Sequence, residues 1–219
     1  MLPMLTKTAK AIPATDGRFF GIKEVRDSAD GVSQGSDIAQ LLDWVESYLM
    51  AGHSDLGRTG AVCPFTRQAA KIDTVRLAIS DARAEDEDTV FALIRGAFGE
   101  LEAIPCKPAM KHFRTVIVGF PDCADADGIA MLKRIQRRHR FYSLARARMI
   151  GMMHAGSEDR GLWNPDFRPL RSPMPVLAIR HLVENDAPFA ALHPALMVAY
   201  LARFPIRGTR RLVNHFRSG

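Results

Sequence analysis

The chain has little cysteine and no long apolar run. Three cysteines, at 63, 106 and 123, stand in 219 residues. They make no C-x-x-C pair and no even framework, which excludes a disulfide-stapled scaffold and leads us to expect a reducing, cytoplasmic setting. No apolar stretch approaches the roughly 18 residues of a membrane span, so no membrane insertion is expected. G-x-G-x-x-G, G-K-[ST], H-E-x-x-H and G-x-S-x-G are all missing. Their absence argues against dinucleotide, nucleoside-triphosphate, zincin and α/β-hydrolase chemistry.

What is present is a core-forming composition with a basic excess. Hydrophobic residues make up 47%, enough for one domain of this length. Thirty Lys and Arg against 24 Asp and Glu give a net charge of +6. The excess gathers in Lys133–Arg148 and in RGTRRLVNHFRSG near the end. Such a balance admits a polyanion, an anionic surface or an acidic small molecule as partner. The 133–148 stretch lacks a known nucleic-acid module, so we read it as a solvated or self-associating helix face, with a homodimer as its consequence and nucleic acid not expected.

The opening MLPMLTKTAKAIPATDG lacks the continuous apolar core of a leader, so residues 1–35 are expected to form an irregular arm. Residues 36–219 then form a single α+β domain. SDIAQLLDWVESYLMAG keeps helical spacing, with Ser36 as cap. TVRLAIS (74–80) and FRTVIVGF (113–120) read as strands. Between them, the acidic run Glu85–Asp88 marks a helix onset, since carboxylates suit the positive end of a helix. DCADADG opens a second amphipathic helix rather than a calcium loop, because Cys123 and Arg134 would fall on ligand positions. ARMIGMMH either extends that helix or forms a strand, and PVLAIRHLV is a further strand before a terminal helix from Pro194. The order β-α-β-α-β-β predicts one helix layer on a mostly antiparallel sheet, a loosely ferredoxin-like sandwich with extra helices at both ends.

Histidines and a cysteine stand beside turns: His154, His181, His193 and Cys63. Each is compatible with a plain packing role, and Cys63 also with a small buried residue at a strand entrance. Together with methionines 149, 152 and 153 and several arginines they also match the needs of heme: an apolar slot, one axial ligand, and cations for two propionates. In that reading His154 is the axial ligand to the metal, with His193 and Cys63 as alternatives. Arg168 and Arg171 meet carboxylates, Arg180 and His181 act on the substrate, and Trp163 and Phe167 form a wall.

GRTGAVCPF and RGLWNPDFRPLRSPMPVLAIRHLVENDAPF resemble a bacterial family catalogued only as a domain of unknown function, whose members often lie near biosynthetic genes. Cys63-Pro64-Phe65 and Phe189-Ala190-Ala191-Leu192-His193-Pro194 also resemble segments of the YqcI/YcgG family, which includes heme-dependent N-oxygenases. That resemblance implies a heme-dependent oxygenase or related redox enzyme acting on a small nitrogen-containing metabolite. Two other readings stay open: a dimeric binding module presenting the basic helix, and a cofactor-free enzyme using His154 or His181 as general base.

Overall fold

Three strands in the middle of the sheet are apolar on both faces, and that fixes the architecture. The computed structural model describes residues 18–29, 36–192 and 194–218. Five strands, β1 (Phe20–Gly21), β2 (Val75–Ile79), β3 (Thr115–Gly119), β4 (Arg148–Met153) and β5 (Val176–His181), form one sheet in the order β1-β2-β3-β5-β4. Only β2 and β3 pair in parallel. Ala78, Val116, Val118, Leu177, Ile179 and Met152 face one side. There they pack on α4 (Glu87–Ala103) and α5 (Ala126–Ala145) through Ile94, Phe98, Leu132 and Ile135. Leu77, Ile79, Ile117, Val176 and Met153 alternate to the other side, against Val25 of α1 (Ile22–Ala29) and Leu41 of α2 (Asp37–Trp44). Strands without a polar face need cover on both sides. The expected α+β class and β-α-β-α-β-β order therefore stand, but the single helix layer becomes two.

The described part of the expected 1–35 arm differs as well, while residues 1–17 and 30–35 lie outside the described residues. Residues 18–29 carry β1 and α1 rather than irregular chain, because Phe20, Ile22 and Val25 are buried against the second face. The ambiguous ARMIGMMH resolves into strand. Ala147 takes a positive φ of 52°, which ends the run of α5 and turns the chain into β4. Helix starts follow local chemistry: Asp125 Oδ1 accepts from Gly128 N at 2.7 Å and caps α5. After β5 come α6 (Ala187–Leu192), α7 (Pro194–Arg203) and α8 (Pro205–Ser218), joined by a third cluster around Tyr200, Leu196 and Leu212.

β4 is an edge strand. α5 packs beside it, and the Gln136 side-chain amide donates to the Ile150 carbonyl at 3.0 Å.

α2 ends in a widened turn in which Met50 N–H bonds to the Val45 carbonyl at 3.0 Å. The next carbonyls are taken from outside: Cys63 N donates to Leu49 O at 2.9 Å, and the Arg67 guanidinium donates to Met50 O. This fixes the 57–65 loop, ahead of α3 (Thr66–Lys71), at one end of the sheet.

Candidate functional site

The pleat of β5 sends Arg180 and His181 to opposite faces at that same end. Arg180 lies on the α2 side. Its guanidinium grips Asp186 in a two-pronged ion pair, Nη1–Oδ2 2.9 Å and Nη2–Oδ1 2.6 Å. Asp186 is 2% exposed and also accepts from Val183 N at 2.8 Å. Burial works against the guanidinium's charge, but the Asp186 hydrogen bonds and charge outweigh it and hold Arg180 ionised. Phe65 lies 5.7 Å beneath the guanidinium, and Cys63 is close enough to add to its field. Cys63-Pro64-Phe65 and LAIRH thus meet at Arg180.

His181 lies on the α4 side, and Arg148 is its register partner on β4. On the other flank is Arg114, which precedes β3 and is only 7% exposed. Glu102, near the end of α4, bridges the two arginines. It accepts from Arg148 Nε at 2.7 Å and stands 3.6 Å from Arg114 Nη1. Burial first, then the Arg148 charge, push His181 down to about 4; Glu102 opposes this, while Arg114 and His112 add to it. The ring is therefore neutral at physiological pH. His181 Nε2 and Arg114 Nε are both buried without a hydrogen-bond partner among the described residues. Two guanidiniums against one carboxylate leave this cluster short of negative charge.

The other expected residues are held elsewhere. His154 follows β4 at its far end, six residues beyond Arg148, or about 20 Å from the His181 end at strand rise. Its pKa is lowered by burial and then by Lys133, with Asp159 opposing. Arg168 and Arg171 both bind Glu158, at 3.2 and 2.9 Å. Trp163 is 66% exposed, whereas Phe167 is buried and packs against the tilted ring of His53, with ring centres 4.7 Å apart. His193 lies outside the described residues. Met152 and Met153 point to opposite faces of the sheet, and Met149 packs against the third cluster. The described members of the heme set are therefore not gathered into one slot. Alternation along β4 splits the methionines, and strand length separates His154 from Arg180, His181 and Cys63. Among the described residues, this set does not fit heme.

The two loops that carry the quoted sequence blocks do pack together. Asn164 Nδ2 donates to Asp55 O at 2.8 Å, and Tyr48 OH and Trp44 Nε1 donate to the carbonyls of Arg168 and Arg171. Gly57, at φ 73°, is required there, because a Cβ would meet the Trp163 backbone at 2.9 Å. A shallow cleft of about 470 Å³ lies apart from this, lined by Gly21, Lys23, Glu24, Asp27, Asp73 and Arg76. It brings together none of the expected residues.

Part of the basic face of α5 is paired. Arg134 and Arg138 bind Glu87 at 2.9 and 3.2 Å, and Arg146, just beyond the helix, lies over the Tyr142 ring. No group of three or more metal-ligating side chains is placed to hold an ion among the described residues.

Sequence reasoning passed over Arg114, Arg148, Glu102 and Asp186. A signal for the arginines existed: Arg114-x-Val116-x-Val118 and Arg148-x-Ile150-x-Met152 put each on its strand's buried face by the two-residue period.

No curated protein and no solved structure matches this chain significantly. A family model does, over residues 38–215, which takes in both loops, the whole His181 cluster and most of α8. The chain belongs to the family described as domain of unknown function DUF6875.

Proposed function

We propose that this protein is a cofactor-free enzyme that moves a proton on a small anionic metabolite, with His181 as the proton-transfer group. The observation that carries the reading is the buried, unpartnered Nε2 of His181 between Arg114 and Arg148. A neutral imidazole keeps one ring nitrogen with a lone pair for an incoming proton. Burial first, and then the flanking cations, hold that basicity low, and a bound anion cancels the cations' share. An acidic substrate at Arg114 and Arg148 would raise the proton affinity of His181 when it binds. The base then becomes active on occupancy. A substrate X–H bond breaks, the N–H bond forms on the imidazole, and Glu102 offsets the imidazolium charge. Arg180 and Asp186 hold the end of β5 rigid from the other face, as a positioning pair.

The test is a mixed pool of small carboxylates and phosphate esters in deuterated water, followed by mass spectrometry. Deuterium incorporation or product formation is expected with the native protein and at least about a hundredfold less with His181→Gln. Equal profiles for the two proteins would sink the reading.

A further inference from the structure

The third helical cluster leaves one surface unexplained. α8 carries Arg207, Arg210, Arg211 and Arg217 and no acidic residue. It docks on the domain through buried Leu212 and through Gly208, whose Cα sits so close to Tyr200 that a Cβ would lie 2.7 Å from the ring. With 3.6 residues per turn, a second stripe of Ile206, Val213 and Phe216 falls on one outward edge. These side chains are 84%, 41% and 65% exposed. Arg210 and Arg217 border the stripe and take no ion pair among the described residues, whereas Arg207 and Arg211 reach Glu184.

We propose that α8 is a peripheral docking helix for an anionic lipid surface. Its three apolar side chains enter the boundary between headgroups and acyl chains, and Arg210 and Arg217 meet the lipid charges. Short basic helices with an apolar edge bind in this way, lying in the interface plane rather than crossing it. No helix among the described residues is long and apolar enough to cross a membrane, which suits surface docking. Charge selects this occupant. A second copy of the chain, paired face to face, would oppose Arg210 and Arg217 with the same arginines. A polyanion would use the arginines and could stack a base on Phe216, but it would leave exposed Ile206 and Val213 in water. The stripe is also far smaller than the roughly 20 residues a side of an ordinary protein interface.

The experiment is co-sedimentation of the full chain with phosphatidylcholine vesicles, with and without about 30% phosphatidylglycerol. Binding to the anionic vesicles only is expected, and it should weaken as salt is raised. Arg210→Gln with Arg217→Gln should lower affinity by about 25-fold, near fivefold per charge. Ile206→Ser with Phe216→Ser should lower it at least about tenfold. All four positions are exposed, so these variants keep the fold, which far-UV circular dichroism checks. Equal binding to neutral vesicles, or none to either, would overturn the proposal. So would heparin retention as strong as vesicle binding and unchanged by Ile206→Ser with Phe216→Ser, which would assign the helix to a polyanion.

Discussion

Arg180 and His181 are neighbours in the chain and occupy opposite faces of the sheet. One is locked to Asp186 beneath the Cys63 loop, and the other is wedged between Arg114 and Arg148. They are tied through the backbone as well, since Arg180 Nη1 donates to the His181 carbonyl at 2.9 Å. The free-energy changes of Arg180→Met and His181→Gln should therefore depart from additivity, by about 0.5–3 kcal/mol in a double-mutant cycle. Chemical denaturation of the four proteins measures this. Strict additivity would show that the two faces act independently.

Asp186 is a buried carboxylate with three hydrogen-bond donors around it. Asp186→Ala leaves the Arg180 charge and the Val183 N–H without their partner. Stability should fall by about 3–5 kcal/mol in urea titration. Arg180→Met added to Asp186→Leu should recover part of that loss, since no charge is then stranded.

Acid should destabilise the protein before its carboxylates titrate. His181 has a folded value near 4 against an ordinary 6.5, so the unfolded chain takes up the proton first. The resulting stability is complete above pH 6.5 and drains away as pH falls towards 4. Its size is about 3 kcal/mol. His139, lowered mainly by burial against Phe91 and Phe98, acts in the same direction. Urea midpoints at several pH values should trace this slope, and His181→Gln should flatten it. A native slope matching the variant's would contradict the environment assigned to His181.

The three thiols should separate by reactivity. Cys123 is buried, donates to Ala82 O at 3.1 Å, and is pushed up to about 11, first by burial and then by Asp125, Asp122, Asp86 and Glu85. Cys63 and Cys106 are partly exposed. Alkylation of the native protein under mild conditions should label Cys63 and Cys106 and spare Cys123 until denaturant is added. Peptide mapping reads this directly.

Gly57→Ala should loosen the contact between the two loops. It forces a side chain into left-handed backbone, at about 1–2 kcal/mol, and drives a methyl group into the Trp163 backbone. Faster proteolysis within residues 155–172 is the expected readout. Unchanged cleavage would separate the loops energetically.

Local pattern made some of this legible. FRTVIVGF declared itself through β-branched residues, and Asp125 announced a helix start. The second helical layer was harder, although the strands held its signal. A run such as Val116-Ile117-Val118 has no polar face, which demands cover on both sides, but only the fold shows that α1 and α2 supply it. The candidate site was the least legible part. His181 and Arg180 stood out as a pair, yet what sets their chemistry is Glu102, Arg114 and Arg148. Those residues come from separate elements and meet only through sheet register. His154 misled because distance along a strand is invisible in a search for histidines near turns.

The Gln136 amide on the Ile150 carbonyl carries a consequence for assembly. An edge strand is where one chain can recruit another into a growing intermolecular ribbon. Here the midpoint of the β4 ladder is already occupied by a side chain from the helix packed beside it. A neighbouring copy would have to evict that amide before its own backbone could pair there. That contact guards the middle of this edge against open-ended cross-chain pairing.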